Sequence, residues 1–304
     1  MSDKEYKKYN KGIERLLSEY RQENFNALND AYCREKNDNE KYVLPSICGM
    51  LNLLETYRDD FLRDELSNIA FHGSFHSLRS SQAMCINFFF PLIVEKKLDI
   101  ILNTAGIFGE EVSYNTAEFE KKSSIDNEKA IVEKAPELKE RRKPVIPTSF
   151  DFYFETKSKK KFYFEIKYTE EKFGSAEEDK QTKTYLPKYD VKYKKIYQEA
   201  ANGKIQPEFN NVDSFLGHYQ IMRNLIHVDN DSYVIFIIPK DNEPVYSQAK
   251  QAKNFVVEEY KENIKVITWD DLYDIIEKHK FSGTSKERLN NHFENFMKKY
   301  KLKI

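Results

Sequence analysis

The stretch that most constrains the fold runs from Phe150 to Tyr168, FDFYFETKSKKKFYFEIKY. Phe150, Phe152 and Phe154 alternate with Asp151, Tyr153 and Glu155. After a run of lysines, Phe162, Phe164, Ile166 and Tyr168 alternate with Tyr163, Glu165 and Lys167. Side chains alternate faces along a strand, so this is the period of a β-hairpin with one apolar face. Both apolar rows must meet the same core, which fixes their parity. A loop of three or five residues around Lys157–Lys161 meets that condition and sets Asp151 opposite Glu165 or Lys167. A plain four-residue loop would turn Asp151 to the wrong side.

Facing residues of a hairpin have Cβ atoms about 4.5–5.5 Å apart, and like charges there repel. Two carboxylates so placed can instead share a divalent ion at metal–oxygen distances of about 2.1 Å. An adjacent lysine can reach a phosphate oxygen or a water. Asp151, Glu165 and Lys167 therefore suit metal-assisted hydrolysis of a phosphodiester, in which the ion lowers the pKa of a water. Oxygen ligands with no His or Cys nearby in sequence favour Mg2+ or Mn2+ over zinc. The bland reading is a solvated hairpin face whose ion pairs are worth about 0–1 kcal/mol.

The remaining pattern places helices around this hairpin. Residues 3–37 are polar with a helical face of Ile13, Leu16, Leu17 and Tyr20. A second helical run is expected over 47–69. A dense apolar helix is expected from Ser77 or Ser80, as cap, to Lys97. Residues 111–120 read as a strand, 121–148 as an exposed connection, and 170–211 as an inserted helix flanked by loops. Asp213 is a candidate N-cap for the helix that follows. YVIFIIP is a continuous apolar run, the mark of a strand buried on both faces. Ile264–His279 reads as strand then helix, with Thr268 and Asp271 as a capping box. A basic helix closes the chain, and its KKYKLKI end reads as frayed and solvated. The fold class is α/β or α+β, a mixed sheet flanked by helices. The expected organisation is an N-terminal helical region over 1–72 and a sheet domain over 73–304. One continuous domain would satisfy the same pattern.

Charged residues make up 33% of the chain with a formal net charge of only −1, so global charge selects no partner. The start MSDKEYKKYNKG has no apolar core of a signal peptide, and no run approaches the ~20 apolar residues of a membrane helix. Three widely spaced cysteines, Cys33, Cys48 and Cys85, read as reduced thiols with no zinc spacing. A cytoplasmic protein is expected, with no membrane association. His72 and His76 are four apart, but Gly73 lies between them and no third ligand is near. Tyr189, Tyr193 and Tyr197 recur every four residues and read as a packing stripe.

Asp151 followed by Glu165-Ile166-Lys167 on the next strand resembles the PD-(D/E)XK nuclease signature. More narrowly, SSQAMCINFFFPL and FEIKYTEEKFG resemble a bacterial restriction-endonuclease-like family. The resemblance covers roughly residues 77–280 and leaves the N-terminal helices unexplained. It implies a restriction-endonuclease-like mixed sheet and Mg-dependent cleavage of DNA, with a double-stranded substrate. It makes Asp151 and Glu165 metal ligands and Lys167 the catalytic lysine. A further acid often precedes the Asp; Glu120 is the first candidate and Glu118 the second. The two are expected on opposite sides of their strand, so that at most one points into the site. Gln220 resembles the polar residue that often follows on the next helix. Phe150, not proline, precedes Asp151; the nearest upstream proline is Pro147.

These residues support a Mg2+- or Mn2+-dependent endonuclease of restriction or defence type, for which a homodimer would supply one active site per strand. The alternative is a nucleic-acid-binding protein that keeps the fold without cutting. A third is an interaction domain whose hairpin acids are only surface. Ser80, Ser81, Gln82 and Asn87 read as capping and buried hydrogen bonding rather than substrate contact.

Overall fold

The hairpin forms, in the computed structural model, the middle of a five-stranded sheet. The structure describes residues 2–28, 41–138, 147–179, 181–279, 281 and 286–300; Cys33 lies outside them. β1 (Val112–Lys122), β2 (Ser149–Thr156) and β3 (Lys161–Ile166) form an antiparallel meander. β4 (Ser232–Ile238) and β5 (Ile264–Thr268) extend it in parallel, so spatial order follows chain order. The amide of Thr156 donates to the Lys160 carbonyl at 2.9 Å, and Lys159 closes the turn at φ 71°. This is the odd loop that the alternation requires. It sets Phe152 opposite Phe164 and Phe154 opposite Phe162.

Two cores cover the two faces of the sheet. On one, Phe152, Phe154, Phe162 and Phe164 pack with Ile235 and Ile237 against helices from both ends of the chain. These are α1 (Ser2–Phe25), α2 (Glu55–Arg63), α3 (Ser81–Val94), α4 (Asp99–Thr104), α11 (Trp269–His279) and α12 (Lys286–Lys299). On the other, Val234, Phe236 and Ile238 meet the crossover elements that parallel strands need. There α6 (Pro187–Lys192) runs through a π turn (Tyr193–Tyr197) into α7 (Gln198–Ala201). α8 (Val212–Gly217), α9 (Tyr219–Leu225) and α10 (Glu243–Gln251) complete this layer with the shorter α5 (Glu128–Lys134). The class is α+β, a mixed sheet between helical layers. The residues of β4 are buried except for Tyr233, as its apolar run predicts.

α3 is apolar all round because it is buried all round. Ser80 caps it, accepting the Ala83 amide at 3.2 Å. Phe89 packs on Phe152 and Phe164 with ring centroids 4.2 and 5.3 Å away. Truncating Phe89 to Ala would cost about 3–5 kcal/mol. Pro91 lacks the N–H that would reach the Asn87 carbonyl; Nε2 of His292 donates to that carbonyl instead, at 2.7 Å.

Several expectations need correction. The run 47–69 is not one helix. A 3-10 turn (Ser46–Asn52) precedes α2, and a second one (Glu65–Ser67) follows it. Leu53 and Leu54 are extended between them, because the Leu54 amide donates to Asn87 Oδ1 at 2.7 Å rather than to a helical carbonyl. Residues 121–138 are not simply exposed: Ser123, Asp126, Ile131 and Leu138 are buried, and α5 lies among them. Residues 139–146 lie outside the described residues. Asn211, not Asp213, caps α8, accepting the Ser214 amide at 3.0 Å. Lys299 and Tyr300 are buried rather than frayed, and Lys299 Nζ donates to Asn52 Oδ1 at 2.6 Å; residues 301–304 are outside the described set. The Thr268–Asp271 box forms reciprocally, each backbone N–H bonding the other side chain at 3.1 Å. Tyr193 and Tyr197 are buried in the second core, as a packing stripe should be. Among the described residues no helix is long and apolar enough to cross a membrane.

Candidate functional site

The β2–β3 ladder opens at Asp151. Regular pairing ends at Phe152 and Phe164. One step on, the Ile166 amide donates to the Asp151 side chain, Oδ2, at 2.6 Å. A carboxylate thus takes the place of a backbone carbonyl. Phe150 leaves the Phe152–Phe154 row with which it was expected. Its ring packs on Tyr163 and His227, at 4.7 and 4.8 Å, on the opposite face.

The neighbouring strand is distorted at the same level. Glu120 has φ 53°, a left-handed backbone uncommon for any residue but glycine. Residues two apart share a face in a regular strand, so it is this distortion that separates the two candidate acids. Glu118 pairs with Lys121 at 2.6 Å, away from the cleft. Glu120 lines the cleft, where Oε1 accepts from Gln82 Nε2 at 2.7 Å and Oε2 from Ser149 Oγ at 2.9 Å.

Glu165 is buried and saturated with donors. Oε1 accepts from Lys167 Nζ and from Gln220 Nε2, both at 2.7 Å. Oε2 accepts from Asn224 Nδ2 at 2.9 Å. Gln220 is itself fixed, since its Oε1 accepts the Gly174 amide at 3.0 Å. Burial alone would discharge Lys167, but the carboxylates of Glu165, Glu170 and Asp151 outweigh it and raise its pKa. Asp151 goes the other way for an acid. Burial, then the Glu165 charge, push its pKa well above the usual carboxylate range, against the pull of Lys167. The Cys85 thiol, 3.6 Å from the Asp151 carbonyl, is also pushed up by burial, so it packs in the core behind the site and is not a nucleophile.

These groups form the floor of a cleft of about 1360 Å3, larger than the ~300–1,000 Å3 of small-molecule sites. Arg79, Tyr6 and Thr169 line one wall; Arg223, Tyr189 and Tyr219 line another. The strand exit after Lys167 is held by side chains from separate elements. The carbonyls of Lys167, Tyr168, Thr169 and Glu170 accept from Trp269 Nε1, Tyr9 OH, Tyr6 OH and Asn242 Nδ2, at 3.1, 2.8, 3.0 and 2.8 Å.

The structure therefore brings Asp151, Glu165, Lys167, Glu120 and Gln220 to one cleft and leaves Glu118 outside it. Asn224, whose residue type suits loop capping or a solvated face as well as a site role, and Gln82, expected only in buried hydrogen bonding, both reach the site acids. Asn224 lies four residues after Gln220 on α9, a spacing that puts both on one helix face. Gln82 makes the expected buried bonds, to the Ala70 carbonyl and the His72 amide, and one more, to Glu120. Asn87 bonds only inside the core, as expected. His72 Nε2 stands 3.7 Å from Glu120. Among the described residues, no three His, Cys, Asp or Glu side chains converge as a ready-made metal cluster.

No curated protein and no solved structure shows significant similarity to the chain. A family model does: residues 14–301 match that of the restriction endonuclease associating with ARP, from α1 through α12, and the chain belongs to this family.

Proposed function

We propose that the protein is a Mg2+- or Mn2+-dependent DNA endonuclease of the PD-(D/E)XK type. The observation that carries this reading is the cleft floor. Asp151 and Glu165 lie beside one lysine, with Glu120 further along the same cleft, at the point where two strands are distorted. The residues fit a hard cation. Their donors are oxygens only, and Asp151 Oδ1 accepts no hydrogen bond among the described residues.

A bound divalent ion would supply Lewis-acid stabilisation of the phosphate and a lower pKa for the attacking water. Asp151, Glu165 and Glu120 would hold it. Lys167 stays charged, and only one of its three N–H donors is spent on Glu165. The others can orient a water or steady charge on a phosphoryl oxygen. Gln220 and Asn224 fix both oxygens of Glu165, which keeps the acid from rotating. Two copies of the chain would supply one such site to each strand of a duplex.

Plasmid nicking and linearisation at low salt, with Mg2+ or Mn2+, tests this reading. Wild type should cut, while Asp151→Ala and Lys167→Ala should lose at least about 100-fold in rate. Binding without metal-dependent cleavage would replace it with a non-cutting nucleic-acid binder. Neither binding nor cleavage on varied DNA and RNA would sink both.

A further inference from the structure

We propose that Arg223 is a second anion-binding point of the cleft, gripping a phosphodiester next to the one at Asp151 and Glu165. The inference rests on the nuclease reading and adds a residue to it. Four Lys and Arg side chains line the cleft: Arg79, Lys167, Lys188 and Arg223. Three have carboxylate partners. Arg79 lies 3.0 Å from Glu14, Lys167 2.7 Å from Glu165 and Lys188 3.7 Å from Glu177. Arg223 has no carboxylate within ion-pair distance among the described residues. Its Nε is buried and has no hydrogen-bond partner.

An unpaired guanidinium inside a wall is costly unless something completes it. Its surroundings hold it rather than satisfy it. The guanidinium carbon lies 4.5 Å over the Tyr219 ring. The hydroxyl of Tyr219 is 3.5 Å from that of Tyr197, which in turn donates to buried Asp126 at 2.6 Å. The Arg223 carbonyl is fixed by His227 Nδ1 at 2.9 Å. So the stem and the stacking platform are both anchored, and the planar fork is left with free donors. That fork matches phosphate in a bidentate way.

Position points to a polymeric substrate. Arg223 lies on α9 between Gln220 and Asn224, the two residues that hold Glu165. An anion on Arg223 is therefore close to the cleft floor but displaced from it by about one helical step. The clustered acids of the floor would repel a free anion. A chain of phosphates whose reacting group carries a divalent ion meets no such barrier.

The test is binding of a short DNA duplex by the full-length chain in Ca2+, followed by fluorescence anisotropy over a series of salt concentrations. Arg223→Met should bind about 10-fold more weakly, and its slope of log K against log salt should shrink by about 1, the value for one lost phosphate contact. Arg223→Lys should keep the wild-type slope and still lose affinity several-fold, because the charge remains and the fork does not. Melting curves of each variant check the fold. A folded Arg223→Met with wild-type slope overturns the proposal. If Arg223→Met does not fold, wild-type affinity in Arg223→Lys overturns it. A wild type that fails to bind duplex at all removes the nuclease reading and this inference with it.

Discussion

Among the described residues, two buried acid–lysine pairs have the same N–O distance of 2.7 Å, Asp126–Lys192 and Glu165–Lys167. Their surroundings differ. Asp126 and Lys192 are fully enclosed. Asp126 also accepts the Thr148 amide and hydroxyl and the Tyr197 hydroxyl, at 2.6 to 3.1 Å. Burial would raise its pKa, but Lys192 and these donors outweigh it and bring it to about 2. Burial pulls Lys192 down to about 8, less the attraction of Asp126. The two directions disagree about which partner gains, yet both leave the pair charged at neutral pH. Around Lys167 the count is reversed. One ammonium faces Glu165, Glu170 and Asp151, with Glu120 further along the same cleft. The sealed pair balances its charge; the open one leaves negative charge over. The first is a brace, and the second carries the charge that the proposed divalent cation would offset.

One substitution made in each place should break the comparison most clearly. Asp126→Asn leaves Lys192 buried without its counter-charge and should cost about 3–5 kcal/mol. Asp151→Asn removes surplus negative charge while its amide oxygen can still accept from Ile166. An acid whose folded pKa is raised destabilises the fold once ionised, so this variant should melt at or above the wild-type temperature, with cleavage lost. Urea unfolding of both variants checks the signs. Equal losses of stability would remove the distinction. Removing both charges, Asp126→Asn with Lys192→Met, should recover most of what Asp126→Asn alone loses, because the Asn oxygen still accepts from Thr148 and Tyr197 and no orphaned charge remains.

The same contrast explains what could be seen in the sequence. The hairpin, its odd loop and the Asp151–Glu165–Lys167 face follow from strict alternation, which is local. The buried run of β4 and the Thr268–Asp271 box are local as well. Asp126 could not be seen, because nothing near it signals that Lys192 will cover it; the connection around it therefore read as exposed. Asn52 and Lys299 failed for the same reason, being polar residues buried only by meeting each other. In the site, Glu120 depends on a left-handed backbone that no residue type there announces. Phe150 breaks its row because a side chain replaces a carbonyl in the ladder. Alternation predicts a regular strand, and the site lies where the strand stops being regular.

Two histidines extend the comparison to pH. His227 and His292 are buried, and burial lowers each pKa from 6.5 to about 4. Both hydrogen-bond as neutral rings, His227 to Ser123 and the Arg223 carbonyl, His292 to the Asn87 carbonyl. The unfolded chain takes up protons below pH 6.5, whereas the folded rings refuse them until about pH 4. Stability is therefore whole above 6.5 and falls as pH drops through that window, by on the order of 3 kcal/mol per histidine at its acid end. Asp126 adds nothing to this loss, since its own window lies between its ordinary value of 3.8 and about 2. Melting temperature against pH checks it: His292→Gln should flatten the fall, and an unchanged slope would show that the rings are not held neutral.

The smallest expected effect concerns how each pair is braced. The sealed pair is held by its own hydrogen bonds. The open pair has water on one side, so its position depends on the strand exit behind it. There Tyr9, from α1, gives its hydroxyl to the Tyr168 carbonyl, one residue beyond Lys167. Tyr9→Phe keeps the ring in the core and removes only that donor. Asn242 Nδ2, 3.5 Å from the same carbonyl, is too distant to replace it well. The global loss should be about 0.5–1.5 kcal/mol. Hydrogen exchange should rise at the amides of residues 167–170 and stay at wild-type level around Asp126 and Lys192. Cleavage should fall several-fold with little change in DNA affinity, because Lys167 loses its fixed position and not its charge. A rise in exchange spread evenly over both pairs would mean that α1 stabilises the fold without placing the lysine.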